Sequence, residues 1–413
     1  MSGLLIENDA KEIPPRFGTS SCIINDQLYV WRGSTNIRSG SEMRTEAKSL
    51  YSLNIATLKW KVVATNGELP KATAAMEMCA IEQTIYVFGG WEMFGRHNDV
   101  HRLPLDDKMT WELVKPVNPT EAPLNKDKFG MVEHDGRLVV FAGAAEADIR
   151  QSKPGVMFFS YDTYGFGWTN ELHVFDPKTC VWCVPDTTGE TPQPSAASSF
   201  TKVSPHLAVL FGGRQKDGRV NDLAILDMDK WVWNGVFHPL TPQTLWPEGR
   251  SFHSAVSLLD PTTVQSSSSP KLLVLWGLSD GKPVGNANKN ERSGEVLDDA
   301  WVLDVKQVTW TKVSSLKAHG RLWHNSTAYY LSPCECQVVT FGGSPVDLYR
   351  FGSNNKMSDT ILMEFGVKTL FRSCAMYINE NRRLFENVLC LLPVQVLGYV
   401  NDCVRYDRAK KIF

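Results

Sequence analysis

The sequence predicts an all-β protein, a six-bladed β-propeller, with a small α-helical segment at its C-terminal end. Three observations carry this reading. An apolar burst ending in glycine recurs six times. After each of the first five copies come a second apolar strand and a tryptophan. Beyond Phe365 the apolar spacing changes from strand-like to helical.

The bursts are LYVWRG ending at Gly33, IYVFGG at Gly90, LVVFAG at Gly143, LAVLFGG at Gly213, LLVLWG at Gly277 and VVTFGG at Gly343, so the closing glycines stand 53 to 70 residues apart. A continuous apolar run suits a strand buried on both faces. Glycine at its end lets the backbone turn where a side chain would clash near a crowded axis. SLYSLNI, DVHRLPL, ELHVFDP, DLAILDM and AWVLDVK supply the next strand of the first five copies. Trp60, Trp111, Trp182, Trp233 and Trp310 follow them, placed to fill the wedge between neighbouring sheets. The sixth copy has DTILMEFG but no tryptophan strand, so ring closure is expected to borrow a strand, for which the N-terminal GLLIEN is the candidate. Residues 1–366 are assigned to the propeller and 367–413 to the helical segment.

The pattern of glycine doublet, aromatic strand and tryptophan resembles the kelch repeat. The copies exceed its usual length of about 50 residues, so long interblade loops are expected. VKPVNPTEAPLNKDK, AEADIRQSKPGVMFFSYDTYGFGW, LLDPTTVQSSSSP and SDGKPVGNANKNERSGEV are the insertions.

Composition narrows the function. In 413 residues, 43% hydrophobic content and 13 tryptophans are ample for a core, and a net charge of -2 gives no electrostatic case for nucleic acid or a membrane surface. MSGLLIENDAKEIPP lacks the basic start and sustained apolar run of a signal peptide, and no run approaches the roughly 18 apolar residues of a membrane span. Nine scattered cysteines fit reduced thiols of the nucleus or cytoplasm. No phosphate loop or nucleophile elbow is present. Cys180 and Cys183 form a CxxC on a strand, where i and i+3 face opposite sides and do not share an ion. His253 in GRSFHS and His324 in GRLWHNS are equivalent repeat features. No catalytic residue, metal or cofactor is expected, and the chain reads as a binding protein, not an enzyme.

FGGRQKDGR offers a binding group. Arg214 directly follows the glycine doublet and Arg219 lies just beyond, which puts both near one mouth of the axis. Adjacent guanidiniums repel unless an anion joins them, and a planar carboxylate suits the arginine fork. Asp217 or Asp222 is an alternative partner for Arg219, whereas Arg214 has no acid at the next position. Ser251, opening the next copy, either adds a hydrogen bond or caps its turn.

In the tail, TLFRSCAMYI places Leu370, Cys374 and Ile378 on one helical face, and Leu384, Phe385, Val388, Leu389 and Leu392 form a second stripe. Thr369-Leu370, Cys374 and Ile378 resemble an elongin C binding box. Leu392-Pro393, Val396 and Val400 resemble the neighbouring cullin-2 box. The alternative is a helical hairpin packed on the propeller.

KDKFG, GWTNELHVFD, TTGETPQP, FGGRQKDGRVNDLAILDMDKWVWN, GRSFHS, RLWH and this tail together resemble the kelch domain-containing protein 2 group, substrate receptors of cullin-RING ubiquitin ligases. The resemblance implies that the chain reads the C-terminus of client proteins, favouring a terminal glycine, and docks to elongin C (with elongin B) and to cullin-2 with its RING partner. It implies carboxylate contacts at Arg214, Arg219 and Ser251, and a pocket with Lys128 and Trp168. Ala144 stands where the group has an aromatic, and Phe252 where it has a tryptophan, so a wider outer pocket is expected. A kelch scaffold or adaptor without ligase function is the alternative.

Overall fold

Each repeat folds as an antiparallel meander. The computed structural model describes residues 3–6, 13–34, 49–72, 74–92, 95–146, 159–160, 166–241, 243–264, 268–281, 294–314, 316, 318–333, 335–348, 356–366, 377–378 and 381–385. The first sheet runs in order through Ser20–Ile24, Gln27–Trp31, Leu50–Asn54 and Lys59–Val63. The same order recurs in sheets whose first strands are Glu77–Ile81, Gly130–His134, Ser199–Lys202 and Ser254–Ser257. The predicted apolar bursts are the second strands. Burial on both faces is plainest in Arg137–Phe141, where Leu138, Val139, Val140 and Phe141 are all inaccessible.

The sixth sheet has three strands of its own, Asn325–Ser332, Glu335–Phe341 and Thr360–Gly366. Its fourth is Gly3–Ile6, antiparallel to the last of them with Gly3 opposite Met363 and Ile6 opposite Thr360. The borrowed strand is therefore the N-terminal GLLI. The first strand of every sheet lies against the first strand of the next, and that of the sixth against that of the first, so the six sheets form a closed cycle. Removing residues 1–6 leaves Thr360–Gly366 as an open edge, which invites pairing with other chains. The shortened chain is expected to melt at lower temperature and to aggregate with concentration in light scattering; an unchanged melting point and monodisperse scattering would contradict this closure.

The tryptophans do what the sequence suggested. Trp111 packs on Trp31 of the preceding sheet with ring centroids 4.7 Å apart, Trp182 on Phe88 at 5.3 Å, Trp233 on Phe141 at 4.9 Å, Trp310 on Phe211 at 4.9 Å and Trp60 on Phe341 at 5.2 Å. Each partner is the last aromatic of the preceding burst. The sixth sheet, whose outer strand is GLLI, brings no tryptophan, and Trp276 meets His324 instead at 5.0 Å.

The basic residues that open the repeats are structural. Arg16, Lys126, Arg250 and Arg321 are fully buried. Each donates to a carbonyl at the end of its sheet's second strand: Arg32 O at 3.1 Å, Ala142 O at 3.1 Å, Trp276 O at 3.0 Å and Gly342 O at 3.2 Å. Three of them also meet an acid, just before the third strand or, for Asp299, within it: Glu171 at 2.7 Å from Lys126, Asp299 at 2.7 Å from Arg250 and Asp359 at 2.8 Å from Arg321. Burying such a cation is tolerable because its charge is paired and most of its donors are used, Arg321 Nε being left without an acceptor among the described residues.

Helix is scarce among the described residues: a 3-10 turn at Pro119–Glu121, single helical steps at Leu348 and at 377–378, and the short helix Arg382–Phe385. Ile378 sits in the helical step at 377–378, half-buried beside the exposed Tyr377. Leu370, Cys374, Leu392, Pro393, Val396 and Val400 lie outside the described residues.

Candidate functional site

The residues that precede the six first strands converge on the axis. Gly18, Ala75, Lys128, Ala197, Phe252 and Trp323 occupy equivalent places, and all have φ between 55° and 63°. The left-handed turn aims each main-chain N–H at the carbonyl of the preceding member. Ala75 donates to Gly18 at 3.0 Å, Lys128 to Ala75 at 3.1 Å, Ala197 to Lys128 at 2.8 Å, Phe252 to Ala197 at 3.0 Å, Trp323 to Phe252 at 2.8 Å and Gly18 to Trp323 at 2.9 Å. This ring of six hydrogen bonds bounds a central cavity of about 330 Å³. Ser21, Ser199, Thr201, Ser254, Ser326 and Thr327 are among the residues that line it. Desolvation within it pushes the Glu77 carboxyl up to about 8.

Three large side chains cover the ring. Phe252 and Trp323 pack at a tilt with centroids 4.7 Å apart, and the Lys128 ammonium reaches across from the opposite sheet to lie 5.5 Å over the Trp323 ring. Lys128 also pairs with Asp127. Trp168 is buried on a small added sheet in which it faces Ala144, and Ala144 in turn faces Asp127 of the edge strand Lys126–Asp127.

The loops after the second strands rise on the same face. Arg214–Gln215 and Gly218–Arg219 form a short hairpin with Arg214 directly opposite Arg219. The carboxylate that joins them comes from neither Asp217 nor Asp222 but from Asp280, in the corresponding loop of the fifth sheet. Its Oδ1 accepts from Arg219 Nη1 at 2.7 Å and Arg214 Nη1 at 3.2 Å, and its Oδ2 from the Arg219 main-chain N–H at 2.9 Å. Partial desolvation raises the Asp280 carboxyl, but the Arg219 hydrogen bonds and the two positive charges outweigh it and hold the group below its ordinary value. Burial lowers the Arg219 guanidinium, against the Asp280 hydrogen bond.

Ser251 lies fully buried behind Arg219 and accepts from its Nε at 2.8 Å. It thus orients Arg219 from behind. Asp222 serves another cluster, accepting from Gln215 at 3.1 Å and meeting His238 at 2.8 Å. The Arg214 side chain is 34% exposed and that of Arg219 12%, so the pair presents guanidinium edges to solvent beside the resident carboxylate.

His253 and His324 are equivalent, as the sequence indicated, and each bonds a serine: His253 Nε2 to Ser199 at 3.0 Å and His324 Nε2 to Ser254 at 2.8 Å. Burial pulls His253 down to about 3 and His324 well below its usual range, so both are neutral struts. His134, Asp135 and Asp229 bring three metal-ligand groups within 4.8 Å of one another. That group lies at the opposite end of the sheets, and His134 Nε2 already pairs with Asp229 at 3.2 Å.

Sequence reasoning missed Asp280 and Trp323. The available signal for the first was positional: the acid sits just past the fifth glycine turn, in the loop next to the arginine hairpin once neighbouring repeats are set side by side.

A propeller-type cycle of meanders with glycine turns and wedge tryptophans defines a kelch-repeat protein. The chain matches the model of the KLHDC2/KLHL20/DRC7 Kelch-repeats domain over residues 5–153, 108–264 and 170–343, and belongs to that family. It is 27% identical over 388 residues to kelch domain-containing protein 2 of Bos taurus, spanning 91% of this chain and 87% of that protein. With kelch domain-containing protein 1 of Homo sapiens it shares 27% identity over 395 residues, or 93% of this chain and 89% of the other. The solved structure of YjhT shares the fold, with a TM-score of 0.60 at 18% identity, covering 86% of this chain and 99% of that one.

Proposed function

We propose that this chain is a six-bladed kelch propeller that serves as the substrate-recognition subunit of a cullin-RING E3 ubiquitin ligase, binding client proteins by a C-terminal carboxylate. The observation that carries the reading is that Arg214, Arg219 and the Arg219 N–H converge on one carboxylate, that of Asp280, while Arg214 keeps a third of its side chain exposed beside it. A client terminus takes the remaining guanidinium edges, with Lys128, Phe252 and Trp168 around it. A terminal glycine is favoured because it brings no Cβ to the narrow approach. Six meanders in a closed cycle support the count of six blades. The protein is a binding subunit without an active site of its own and works in the nucleus or cytoplasm.

Residues 367–413 are the docking box in this reading. Leu370, Cys374 and Ile378 face elongin C, and Leu392, Pro393, Val396 and Val400 face cullin-2. The double substitution Leu370→Ser with Cys374→Asp puts polar groups into a dry interface, each costing about 1–3 kcal/mol. Co-purification with elongins B and C is expected to fall at least about tenfold, while the melting point of the propeller holds. Undiminished recovery of elongin C would contradict the ligase role.

A further inference from the structure

Two hairpins on the ring face are built alike. In the second sheet Trp91–Glu92 pairs with Gly95–Arg96; in the fourth, Arg214–Gln215 pairs with Gly218–Arg219. Trp91 thus corresponds to Arg214, and Arg96 to Arg219. Both glycines have φ of 142°. Each arginine sends its main-chain N–H to an acid on the following sheet, Arg96 to Glu146 at 3.2 Å and Arg219 to Asp280 at 2.9 Å. At Gly218 the glycine also leaves room for that acid, since a Cβ there would lie only 2.4 Å from Asp280 Oδ2, whereas one at Gly95 would meet Glu146 Oε1 at an ordinary 3.4 Å. Each Nε then reaches the residue just before the axial ring, Asp127 at 2.8 Å from Arg96 and Ser251 at 2.8 Å from Arg219. The acid on the following sheet is therefore part of a bracket common to both sites.

The brackets differ in charge. Around Arg96, the carboxylates of Asp127 and Glu146 face one guanidinium and the Lys128 ammonium, two negative charges against two positive. Around Arg219, serine replaces the aspartate and a second arginine replaces Trp91. Two guanidiniums share one carboxylate oxygen, and Asp347 is felt only at longer range.

We infer that Asp280 is the specificity-determining charge of this site: it braces both guanidiniums and, among the described residues, leaves one positive charge without a carboxylate in contact, so the site accepts a singly charged carboxylate and rejects dianions. A ligand carboxylate satisfies that one charge. A phosphate-type dianion brings a second negative charge against Asp280, which the low dielectric of a partly buried site makes costly. The inference rests on the carboxylate-binding reading above and adds to it the charge class of the ligand.

The test is calorimetric titration of the full chain with three peptides of one sequence, ending in glycine acid, glycine amide or aminomethylphosphonate, above the second ionisation of the phosphonate. Wild type is expected to prefer the carboxylate to the phosphonate by about tenfold or more, and Asp280→Asn to erase or reverse that preference. Asp280→Glu keeps the charge and keeps the preference. Ser251→Asp copies the balanced bracket and is expected to cut carboxylate affinity about a hundredfold. An unchanged preference in Asp280→Asn, or full carboxylate affinity in Ser251→Asp, overturns the inference. Acid preference over amide in wild type with either of those results leaves the carboxylate reading standing; equal binding of acid and amide removes both.

Discussion

Replacing both Arg214 and Arg219 by alanine is expected to abolish measurable binding of carboxylate-ended peptides, and either change alone to weaken it about tenfold to a hundredfold. Hydrogen bonds to charged groups are worth roughly 1.5–3 kcal/mol each, and the planar fork of arginine matches a carboxylate in two places. The two single variants differ in kind. Arg214 is the more exposed of the pair, so Arg214→Ala removes ligand contacts with little strain on the fold. Arg219→Ala also strips Asp280 of its shortest hydrogen bond and Ser251 of its donor, so it is expected to lower stability as well. Titration alongside denaturant unfolding checks this. Equal loss of stability in both, or undiminished binding by Arg214→Ala, would contradict the division of roles.

Trp182→Ala is expected to destabilise the fold by about 3–5 kcal/mol, as loss of a large buried aromatic does. Its indole is 1% exposed and wedged between Phe88 of the second sheet and Phe175 of its own, with centroids 5.3 Å and 4.9 Å away. Its N–H has no acceptor among the described residues, so shape and area matter there, not hydrogen bonding. Trp182→Phe should accordingly cost much less, near the range of about 1–3 kcal/mol for a partly filled site. Denaturant midpoints for the two variants decide it. If phenylalanine costs as much as alanine, the wedge account is wrong.

That wedge was legible because the repeat spells it out: burst, glycine, strand, tryptophan, with one packing partner supplied by each preceding copy. The borrowed strand was legible only as a candidate: the sixth copy lacked a partner and GLLIEN was a spare apolar segment, but nothing in the sequence sets the pairing of Gly3–Ile6 with Thr360–Gly366. The axial ring was not. Its six members are Gly18, Ala75, Lys128, Ala197, Phe252 and Trp323, which share a left-handed backbone and no side-chain property. Local similarity even misleads here. PPRFG and KDKFG suggest that Lys128 corresponds to Arg16, yet the buried cation equivalent to Arg16 is Lys126, and Lys128 belongs to the ring. For the arginine pair, the sequence places both side chains near one mouth and requires an anion between them. The acids it offers for that anion, Asp217 and Asp222, are in the same loop. Asp280 lies 61 residues beyond Arg219, and only the side-by-side placement of neighbouring sheets brings it there.

The most direct test of the central claim is a titration of the wild-type chain with a glycine-ended peptide as free acid and as amide. Amidation removes the negative charge while leaving nearly all of the contact surface. The account predicts that the acid binds at least about a hundredfold more tightly, and that Arg214→Ala narrows the gap. Equal affinity for acid and amide would contradict it.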